Sequence, residues 1–382
     1  MAKQFTLIAT TAMGIEAVAA DELRKLGYTD LTVENGKITF PGTPLDICRV
    51  NLWMRTADRV RLMIGTFRAV TFDSLFEQTK ALPWSEIMPV NAAFPVIGKS
   101  HNSGLHSVPD CQAIVKKAIV EQMKSHYHQE WFDEDGPVYK VQIALEKDVA
   151  TLSIDTSGNG LHMRGYRQLH SIAPLKETLA SAMVLLSRWT PDRPFADPFC
   201  GSGTLPIEAA MIGQNIAPGF NRSFVSEDWT LFGSEEWKQA REEVEDKANY
   251  DQDLDILGSD IDHKMVELSE HNAEEAGFGG LIQWKQMQVA DFTTKKLNGC
   301  LIGNPPYGQR LGDEEQVAEI SRDLGRLFKA YETWSFYIIS SDEAFESQFG
   351  RSASKRRKLY NGRIRTNYYQ YFGRKQPRFT KP

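Results

Sequence analysis

The sequence predicts an α/β protein whose second half is a doubly wound, largely parallel sheet and whose first half consists of two smaller α/β modules. At 382 residues the chain is too long for one ordinary core and fits two or three domains. In the second half, short apolar strands alternate with helical segments, which is typical of a parallel sheet covered on both faces. Hydrophobic residues at 41% and charged residues at 25% are typical of a soluble globular protein.

Hydrophobic periodicity and turn signals predict mixed strands and helices throughout the first half. Strands are expected at 4–10, on either side of the hairpin signal Asn35-Gly36, at 59–67 and 94–99, and on either side of Lys147-Asp148. Helices are expected at 13–27, 45–55, 72–82 and 108–126. Because neither module has a Gly-rich phosphate loop, we expect both to bind substrate and not to carry chemistry. The next stretch, 155–167, is rich in glycine and lacks periodicity, so it is predicted to be a hinge.

Five short apolar strands are expected in the second half, with helices between most of them. The strands lie at 195–197, 254–258, 283–288, 299–303 and 334–340, and helices are expected at 173–189 and 205–213. Residues 214–253 form an insertion with an acidic helix. Ligands of open α/β sheets bind outside the carboxyl ends of the strands, so the residues that follow each strand are candidates for a site.

The first of these strands runs into a glycine-rich turn at 197–204, Asp-Pro-Phe-Cys-Gly-Ser-Gly-Thr, and then into a helix. Glycines at a strand-to-helix turn allow a ligand to approach the backbone and the helix N-terminus. The third glycine of the dinucleotide fingerprint is missing, which disfavours a dehydrogenase, and no G-x-x-x-x-G-K-[ST] run occurs, which excludes a P-loop. A tight structural turn is the alternative interpretation.

Acidic residues follow the next two strands. Asp260 can accept hydrogen bonds from the ribose hydroxyls of a nucleoside ligand. Asp291 offers a carboxylate to an exocyclic adenine amine, and Phe292 offers a ring to pack on its face. Taken alone, each acid is better explained as a helix cap or a surface residue. A glycine turn, an acid, and an acid with an aromatic at three successive strand ends together predict a cofactor site.

The fourth strand ends in Asn304-Pro305-Pro306-Tyr307-Gly308. Neither proline has an N–H, so the pair forms a rigid exit from the sheet. The Asn304 amide oxygen, the exposed carbonyls and the Tyr307 ring can hold a planar amine with its nitrogen facing an electrophile. A Pro-Pro turn with a structural asparagine is the alternative.

The charge is unevenly distributed along the chain. The net charge of −6 speaks against a nucleic-acid partner, but residues 351–382 contain no acid and many basic residues, interleaved with tyrosines and phenylalanines. Such a segment is typical of a surface that neutralises phosphates and stacks bases. A solvated tail is the usual explanation of a charge run. Here the β-type run 365–372 predicts a folded segment, in which part of the charge decorates a pair of strands.

Cysteine usage and hydropathy exclude several classes of protein. The four cysteines are scattered singly without a C-x-x-C pair, and the eight histidines lack ligand spacing. We therefore expect no metal, no disulfide framework and a reducing cytoplasmic environment. The sequence contains no run of about 18 apolar residues, and its start lacks the features of a secretory signal, so no membrane partner is expected.

Together the motifs at 197–204, Asp260, Asp291 and 304–308 resemble those of class I methyltransferases that act on amino groups. The segments 161–167, 173–180 and 205–210 are similar to THUMP-containing RNA methyltransferases, and 103–117 resembles their THUMP module. The resemblance implies a Rossmann-like class I methyltransferase domain, a doubly wound sheet with an antiparallel C-terminal strand, preceded by ferredoxin-like and THUMP α+β modules. The domains implied are 1–60 (ferredoxin-like), 61–157 (THUMP) and 158–382 (methyltransferase).

The resemblance also implies a reaction. A methyl group passes from S-adenosylmethionine, which becomes S-adenosylhomocysteine, to the exocyclic N2 of a guanine in RNA, with 23S rRNA as the expected substrate. The implied catalytic residues are Asn304, Pro305, Pro306 and Tyr307. The implied cofactor-binding residues are Lys176, Glu177, Thr178, Asp197, Phe199, Cys200, Gly201, Ser202, Gly203, Thr204, Asp260, Ile261, Asp291, Phe292 and Asn304. The candidate RNA-binding residues are Lys99, Lys116, Lys117, Arg164, Arg167, Arg356 and Arg357.

Several alternatives stay open at this point. The substrate can be a guanine in tRNA, and similar Asn/Asp-Pro-Pro-Tyr loops serve adenine-N6 and glutamine-N5 methyltransferases. A different class is a non-catalytic RNA-binding or ribosome-assembly protein with a vestigial cofactor pocket. The sequence does not distinguish a monomer from a homodimer.

Overall fold

The protein is described by a computed structural model that covers residues 3–166, 175–231, 234–306, 314–362 and 364–374. Within these residues the strands form two sheets of seven strands each. Every helix in the described part of the chain is too short or too polar to cross a lipid bilayer.

Strands β1 to β7 build the first sheet and strands β8 to β14 build the second. The strands are β1 Phe5–Thr11, β2 Thr32–Glu34, β3 Lys37–Gly42, β4 Ala57–Arg68, β5 Val96–His101, β6 Val141–Glu146, β7 Val149–Asp155, β8 Phe195–Asp197, β9 Ile256–Asp260, β10 Ile282–Gln286, β11 Cys300–Gly303, β12 Ser335–Ser340, β13 Lys355–Asn361 and β14 Ile364–Tyr371. The α-helices are α1 Glu16–Lys25, α2 Pro44–Trp53, α3 Phe72–Lys80, α4 Val108–Tyr127, α5 Glu177–Ser187, α6 Thr204–Gly213, α7 Ser234–Lys247, α8 His263–Glu275, α9 Glu314–Ala330 and α10 Phe345–Phe349.

The first sheet runs without a break through both N-terminal modules, in the order β2-β3-β1-β4-β7-β6-β5. The twelve-residue strand β4 pairs antiparallel with β1 on one side and with β7 on the other. Leu7, Leu62 and Leu152, one from each of these strands, are fully buried in one core. The expected boundary at residue 60 therefore falls inside β4, and the two modules share a sheet and a core.

The second sheet has the order β10-β9-β8-β11-β12-β14-β13. Strands β8 to β12 are parallel, whereas β14 runs antiparallel to both β12 and β13. Neighbouring residues of β11 belong to different cores, Ile302 to one and Leu301 to the other, so both faces of the sheet are covered. This confirms the predicted doubly wound sheet with an antiparallel C-terminal strand.

The segment that joins the two halves is not a hinge, and that prediction is wrong. Thr156 and Ser157 are fully buried. The Asn51 side chain of α2 donates to the Thr156 hydroxyl at 2.8 Å and accepts from the Ser157 hydroxyl at 2.6 Å. The sequence pattern lacked periodicity because polar side-chain contacts, and not an apolar stripe, hold this segment in place.

Arg164 lies in the same segment and is 2% exposed, so it is not available to RNA as predicted. Its Nε donates to the Glu208 carboxylate at 3.0 Å, and its two other nitrogens donate to the carbonyls of Leu161 and Arg55, each at 2.7 Å. A buried arginine persists when its charge is paired and its donors are used. Arg164 therefore joins the first half of the chain to α6 of the second.

The acidic insertion also packs on the first half. Arg49 of α2 forms a two-pronged ion pair with Glu243 of α7, at 2.6 and 3.0 Å. The Trp229 ring stacks on Tyr139 with centroids 4.4 Å apart. The insertion therefore fixes the two halves together.

The part of the basic C-terminal segment that the structure describes includes β13 and β14, which form an antiparallel hairpin at the end of the second sheet, as the β-type run 365–372 predicted. Arg356 is exposed and pairs with Glu346 at 3.0 Å, and Arg357 donates to the Gly14 carbonyl at 3.0 Å. Residues 363 and 375–382 lie outside the described residues.

Candidate active site

A cavity of about 1020 Å³ opens at the carboxyl ends of the second sheet. It is bordered by the turn after β8, the end of β9, residues 287–290 after β10, residues after β11, and one face of α9. The strand order reverses at β8, which has β9 on one side and β11 on the other. Such a switch point is where open α/β sheets bind their ligands, so this is the predicted position of the site.

The glycine-rich turn forms one wall. Gly201 and Gly203 have φ values of +52° and +82°, a region in which residues with a Cβ are strained. Gly201 lines the cavity with Ser202 and Thr204. Gly203 does not line the cavity. It precedes α6 and packs against Trp284 and Ser269, and a Cβ at this position would lie 3.0 to 3.2 Å from their atoms.

Asp260 lies at the end of β9 and faces the cavity as predicted. Its two carboxylate oxygens accept the N–H groups of Gly201 and Asp262, each at 3.0 Å. Each oxygen of a carboxylate can accept a further hydrogen bond, so both remain able to take ribose hydroxyls. The next side chain, Ile261, is 63% exposed and lines the same wall, where it offers an apolar surface to a flat ring.

Asp197 is the buried carboxyl of the site, with 1% of its surface exposed. It accepts the Phe199 N–H at 3.0 Å, and Phe199 and Cys200 line the cavity beside it. Burial, with a further contribution from Asp260, raises the pKa of Asp197 well above its usual range. A cationic ligand in this cavity would favour the ionised form of Asp197.

The third strand end differs from the prediction. Met287, Gln288, Val289 and Ala290 line the cavity, whereas Asp291 is exposed and is not among the lining residues. Phe292 is 4% exposed and packs edge-on against two aromatic rings of the core, Tyr331 and Trp334.

The physical reason for this difference is a 3₁₀ turn at Val289–Asp291. A helical turn rotates successive side chains by about 120° instead of alternating them. The prediction that Phe292 packs on a base is therefore wrong, and the side chains of Val289 and Ala290 line the cavity instead.

Asn304 and Pro306 line the cavity after β11, while Pro305 is buried behind them. The Asn304 Oδ1 is buried and accepts no hydrogen bond from any residue that the structure describes. An unsatisfied buried acceptor costs about 1–3 kcal/mol, so this oxygen beside the cavity is available to a ligand that donates a hydrogen bond. Tyr307 and Gly308 lie outside the described residues.

The segment Lys176-Glu177-Thr178 does not border this cavity. Leu175 lines it, but Lys176 and Glu177 line a second cavity, and Thr178 is buried. The structure therefore gives no support to the predicted contact of these side chains with the cofactor.

Sequence reasoning missed the wall formed by α9. Its lining residues recur at helical spacing and most of them are polar, namely Gln316, Glu319, Ile320, Asp323 and Arg326. A polar stripe at this spacing on an otherwise amphipathic helix is the signal that could have found them.

The predicted RNA-binding residues of the first half differ in whether their side chains already have partners within the protein. Lys99 is exposed on β5. Lys116 on α4 donates to Glu134 at 2.6 Å and lies 3.4 Å from the centroid of the Phe94 ring, and Lys117 lies over Phe76. Arg167 lies outside the described residues. Lys116 is therefore engaged within the protein, whereas Lys99 is open to a partner.

The residues that metal or disulfide chemistry would use are the acids, the histidines and the cysteines. In the described ranges, no three His, Cys, Asp or Glu side chains gather in a way that could hold a metal ion. The four cysteines are all buried, and none is in a disulfide.

Comparisons with known proteins agree with this site and fold. Residues 164–370 match the family model of the RMKL-like methyltransferase domain, UPF0020. Residues 6–61 match the RlmL ferredoxin-like domain, and residues 69–155 match the THUMP domain. The three matches follow one another along the chain in the order that the sequence predicted.

Whole-length relatives exist as well. The chain is 58% identical over 381 residues to YpsC of Bacillus subtilis (strain 168), named as a candidate RNA methyltransferase, and the match covers 99% of both chains. A Listeria monocytogenes structure, described as a predicted N6-adenine-specific DNA methylase, is 54% identical, with a TM-score of 0.94 over 97% of both chains. SMU.472, a methyltransferase by description and complexed with S-adenosylhomocysteine, is 47% identical, with a TM-score of 0.94 over 99% of this chain and 100% of that one.

The fold and the cavity define a class I methyltransferase that uses S-adenosylmethionine. The chain belongs to the family of THUMP-containing methyltransferases with an RMKL-like catalytic domain. The residues present fit the cofactor, because a glycine turn, an acid at a strand end and an apolar side chain border one cavity of sufficient size.

Proposed function

We propose that this enzyme methylates the exocyclic N2 of a guanine in 23S rRNA. The observation that supports this most is the buried Oδ1 of Asn304, which lines the cofactor cavity without a hydrogen-bond donor among the described residues. An exocyclic amine carries two N–H groups and is the kind of donor that this oxygen requires.

The catalytic role proposed for the loop is positioning. The N2 lone pair of guanine is delocalised into the ring, so the amine is a poor nucleophile unless it is oriented. The Asn304 Oδ1 and the Pro305 carbonyl accept its two hydrogens, which leaves the lone pair directed at the methyl donor. Tyr307, outside the described residues, is proposed to stack on the base once the base has left the RNA stack.

The cofactor-binding roles follow the walls of the cavity. S-adenosylmethionine supplies an electrophilic methyl group and leaves as S-adenosylhomocysteine. Asp260 is proposed to accept the ribose hydroxyls, and Ile261 with Val289 to enclose the adenine. Asp197 and the backbone at Gly201 are proposed to hold the methionine end. A strong base is not required before the transfer, because N2 becomes acidic once it is methylated.

Ribosomal RNA is proposed over tRNA because of the first half of the chain. Its initial module matches the ferredoxin-like domain of RlmL type, and the sequence motifs resemble the enzyme that makes N2-methylguanine in bacterial 23S rRNA. Adenine N6 is the second candidate, because the Listeria monocytogenes relative is described as an adenine-specific methylase and an adenine amine would satisfy the same acceptors.

Nucleoside mass spectrometry tests this proposal. RNA from cells that lack the gene is incubated with the purified protein and S-adenosylmethionine, and the new methyl group is identified and mapped. The expected product is N2-methylguanosine in 23S rRNA. N6-methyladenosine, or methylation confined to tRNA, would contradict it.

A further inference from the structure

A second cavity, of about 600 Å³, lies where three segments meet. It is lined by Asn159 and residues 162–165 of the connecting segment, by Lys176 and Glu177 at the start of α5, and by residues 221–223 of the insertion. Lys176 lines this cavity and the preceding residue, Leu175, lines the cofactor cavity. Two consecutive residues therefore contribute to the linings of the two cavities.

Three of the lining side chains are permanently basic, namely Arg164, Lys176 and Arg222. Arg222 donates to four main-chain carbonyls within residues 157–163, at 2.6 to 3.3 Å, which fixes its guanidinium without neutralising it. Neither Arg222 nor Lys176 forms an ion pair with a carboxylate that the structure describes, in contrast to Arg164, which is paired with Glu208.

Acids nearby offset part of this charge. Glu177 lines the cavity and interacts with the buried Arg164. Asp58 lies close to Lys176, and burial raises the pKa of its carboxyl although Lys176 and Arg59 act against the rise. The cations still prevail at His162, whose pKa is lowered to about 4, first by burial and then by Lys176, Arg164 and Arg222.

We propose that this cavity binds a phosphate of the RNA backbone next to the methylated nucleotide. A nucleotide that leaves the stack to enter the cofactor cavity keeps its flanking phosphates outside, and contacts to phosphates set the register of a bound nucleic acid. Lys176, Asn221 and Ser223 are exposed at the rim and supply a charged and two polar side chains. The inference rests on RNA as the substrate and is independent of which base is methylated.

Two variants test the phosphate site in the full-length protein. Lys176→Gln removes the exposed charge, and Asn221→Asp adds a negative charge with almost no change of shape. Lys238→Gln, on the acidic helix α7 and 64% exposed at its side chain, is the matched control. For each protein we measure the RNA dissociation constant over a series of salt concentrations, the KM for RNA, and the dissociation constant for S-adenosylmethionine by calorimetry.

For Lys176→Gln we expect a salt slope shallower by about 0.7–0.9, the value for one lost phosphate contact. The KM for RNA should rise by a few fold, Asn221→Asp should weaken RNA binding further, and cofactor affinity should stay within twofold. Identical RNA affinities and slopes in wild type, Lys176→Gln and Asn221→Asp would overturn the inference. A loss of cofactor affinity with unchanged RNA binding would also overturn it and would assign Lys176 to the cofactor. The proposed phosphate site does not depend on which base is methylated. These outcomes can therefore be distinguished from a failure of the proposed N2-methylguanosine product.

Discussion

Arg164 and Asn304 both have buried polar atoms, but those of Arg164 have hydrogen-bond partners and the Oδ1 of Asn304 does not. Arg164 uses every nitrogen of its guanidinium, in an ion pair with Glu208 and in hydrogen bonds to two carbonyls. Asn304 leaves its buried Oδ1 without a donor among the described residues. The first arrangement holds two halves of a chain together, and the second leaves an acceptor for the proposed substrate amine.

The same contrast separates the two regions around these residues. Where the halves meet, several charged residues are paired, as in Arg49 with Glu243 and Arg164 with Glu208. At the carboxyl edge of the second sheet, Asp197 is buried with a raised pKa and lacks a cationic partner among the described residues. A buried polar group that borders the cavity and lacks a partner among the described residues is therefore a candidate for contact with the ligand.

The largest expected effect is on stability, at the buried ion pair of Arg164 with Glu208. Arg164→Met should destabilise the protein by about 3–5 kcal/mol, because it leaves the Glu208 carboxylate buried and unpaired. Urea-induced unfolding measures the change, and the double variant Arg164→Met with Glu208→Leu should recover most of it. A single variant as stable as wild type would show that the pair does not hold the interface.

A smaller effect is expected at Asp260 on the ligand side. Asp260→Asn should raise the dissociation constant for S-adenosylmethionine by about 10- to 100-fold, since hydrogen bonds to charged groups contribute about 1.5–3 kcal/mol. Asp262→Asn is the control, because Asp262 caps α8 by accepting the Lys264 N–H at 2.9 Å, and asparagine caps equally well. Calorimetry in which both variants bind alike would remove Asp260 from the cofactor site.

The smallest effect concerns Asp197 and depends on pH. Its pKa is raised in the folded protein, so its contribution to stability is fully present in acid and is lost as the pH rises through the folded-state pKa. Asp197→Asn should therefore raise the melting temperature at pH 8 more than at pH 5. It should also weaken cofactor binding, since the positive charge of the cofactor loses a carboxylate partner.

Proton release provides a second readout for Asp197. In wild type, a bound cation shifts the buried carboxyl toward its ionised form, so binding should release protons. Calorimetry of cofactor binding in two buffers of different ionisation enthalpy detects that release, and the Asp197→Asn variant should lack it. Equal release in both proteins would assign the protons to another group.

Much of the fold was predictable because its signals are local. The glycine-rich turn and the strand ends at Asp260 and Asn304 follow from hydrophobic runs and from the few residues that tolerate such turns. The doubly wound arrangement of the strands was also predictable, because alternating strands and helices leave few ways to build a parallel sheet.

Two of the wrong predictions share a physical cause, which is contact between segments distant in sequence. Arg164 resembles any surface arginine until Glu208, 44 residues away, lies beside it. The glycine-rich connection resembles a hinge until the side chain of Asn51 is hydrogen-bonded to it. The prediction for Phe292 was wrong for a local reason, because a single 3₁₀ turn changed which side chain faces the cavity.

The measurement that tests the central claim most directly is a comparison of wild type with Asn304→Ala in single-turnover methyl transfer and in cofactor binding. If the Asn304 oxygen orients the amine, the rate should fall by about 100- to 1000-fold or more, as expected for the loss of one preorganised hydrogen-bonding group. The dissociation constant for S-adenosylmethionine should stay within twofold of wild type. A near-normal transfer rate, or a loss of cofactor affinity that accounts for the slower rate, would contradict the account.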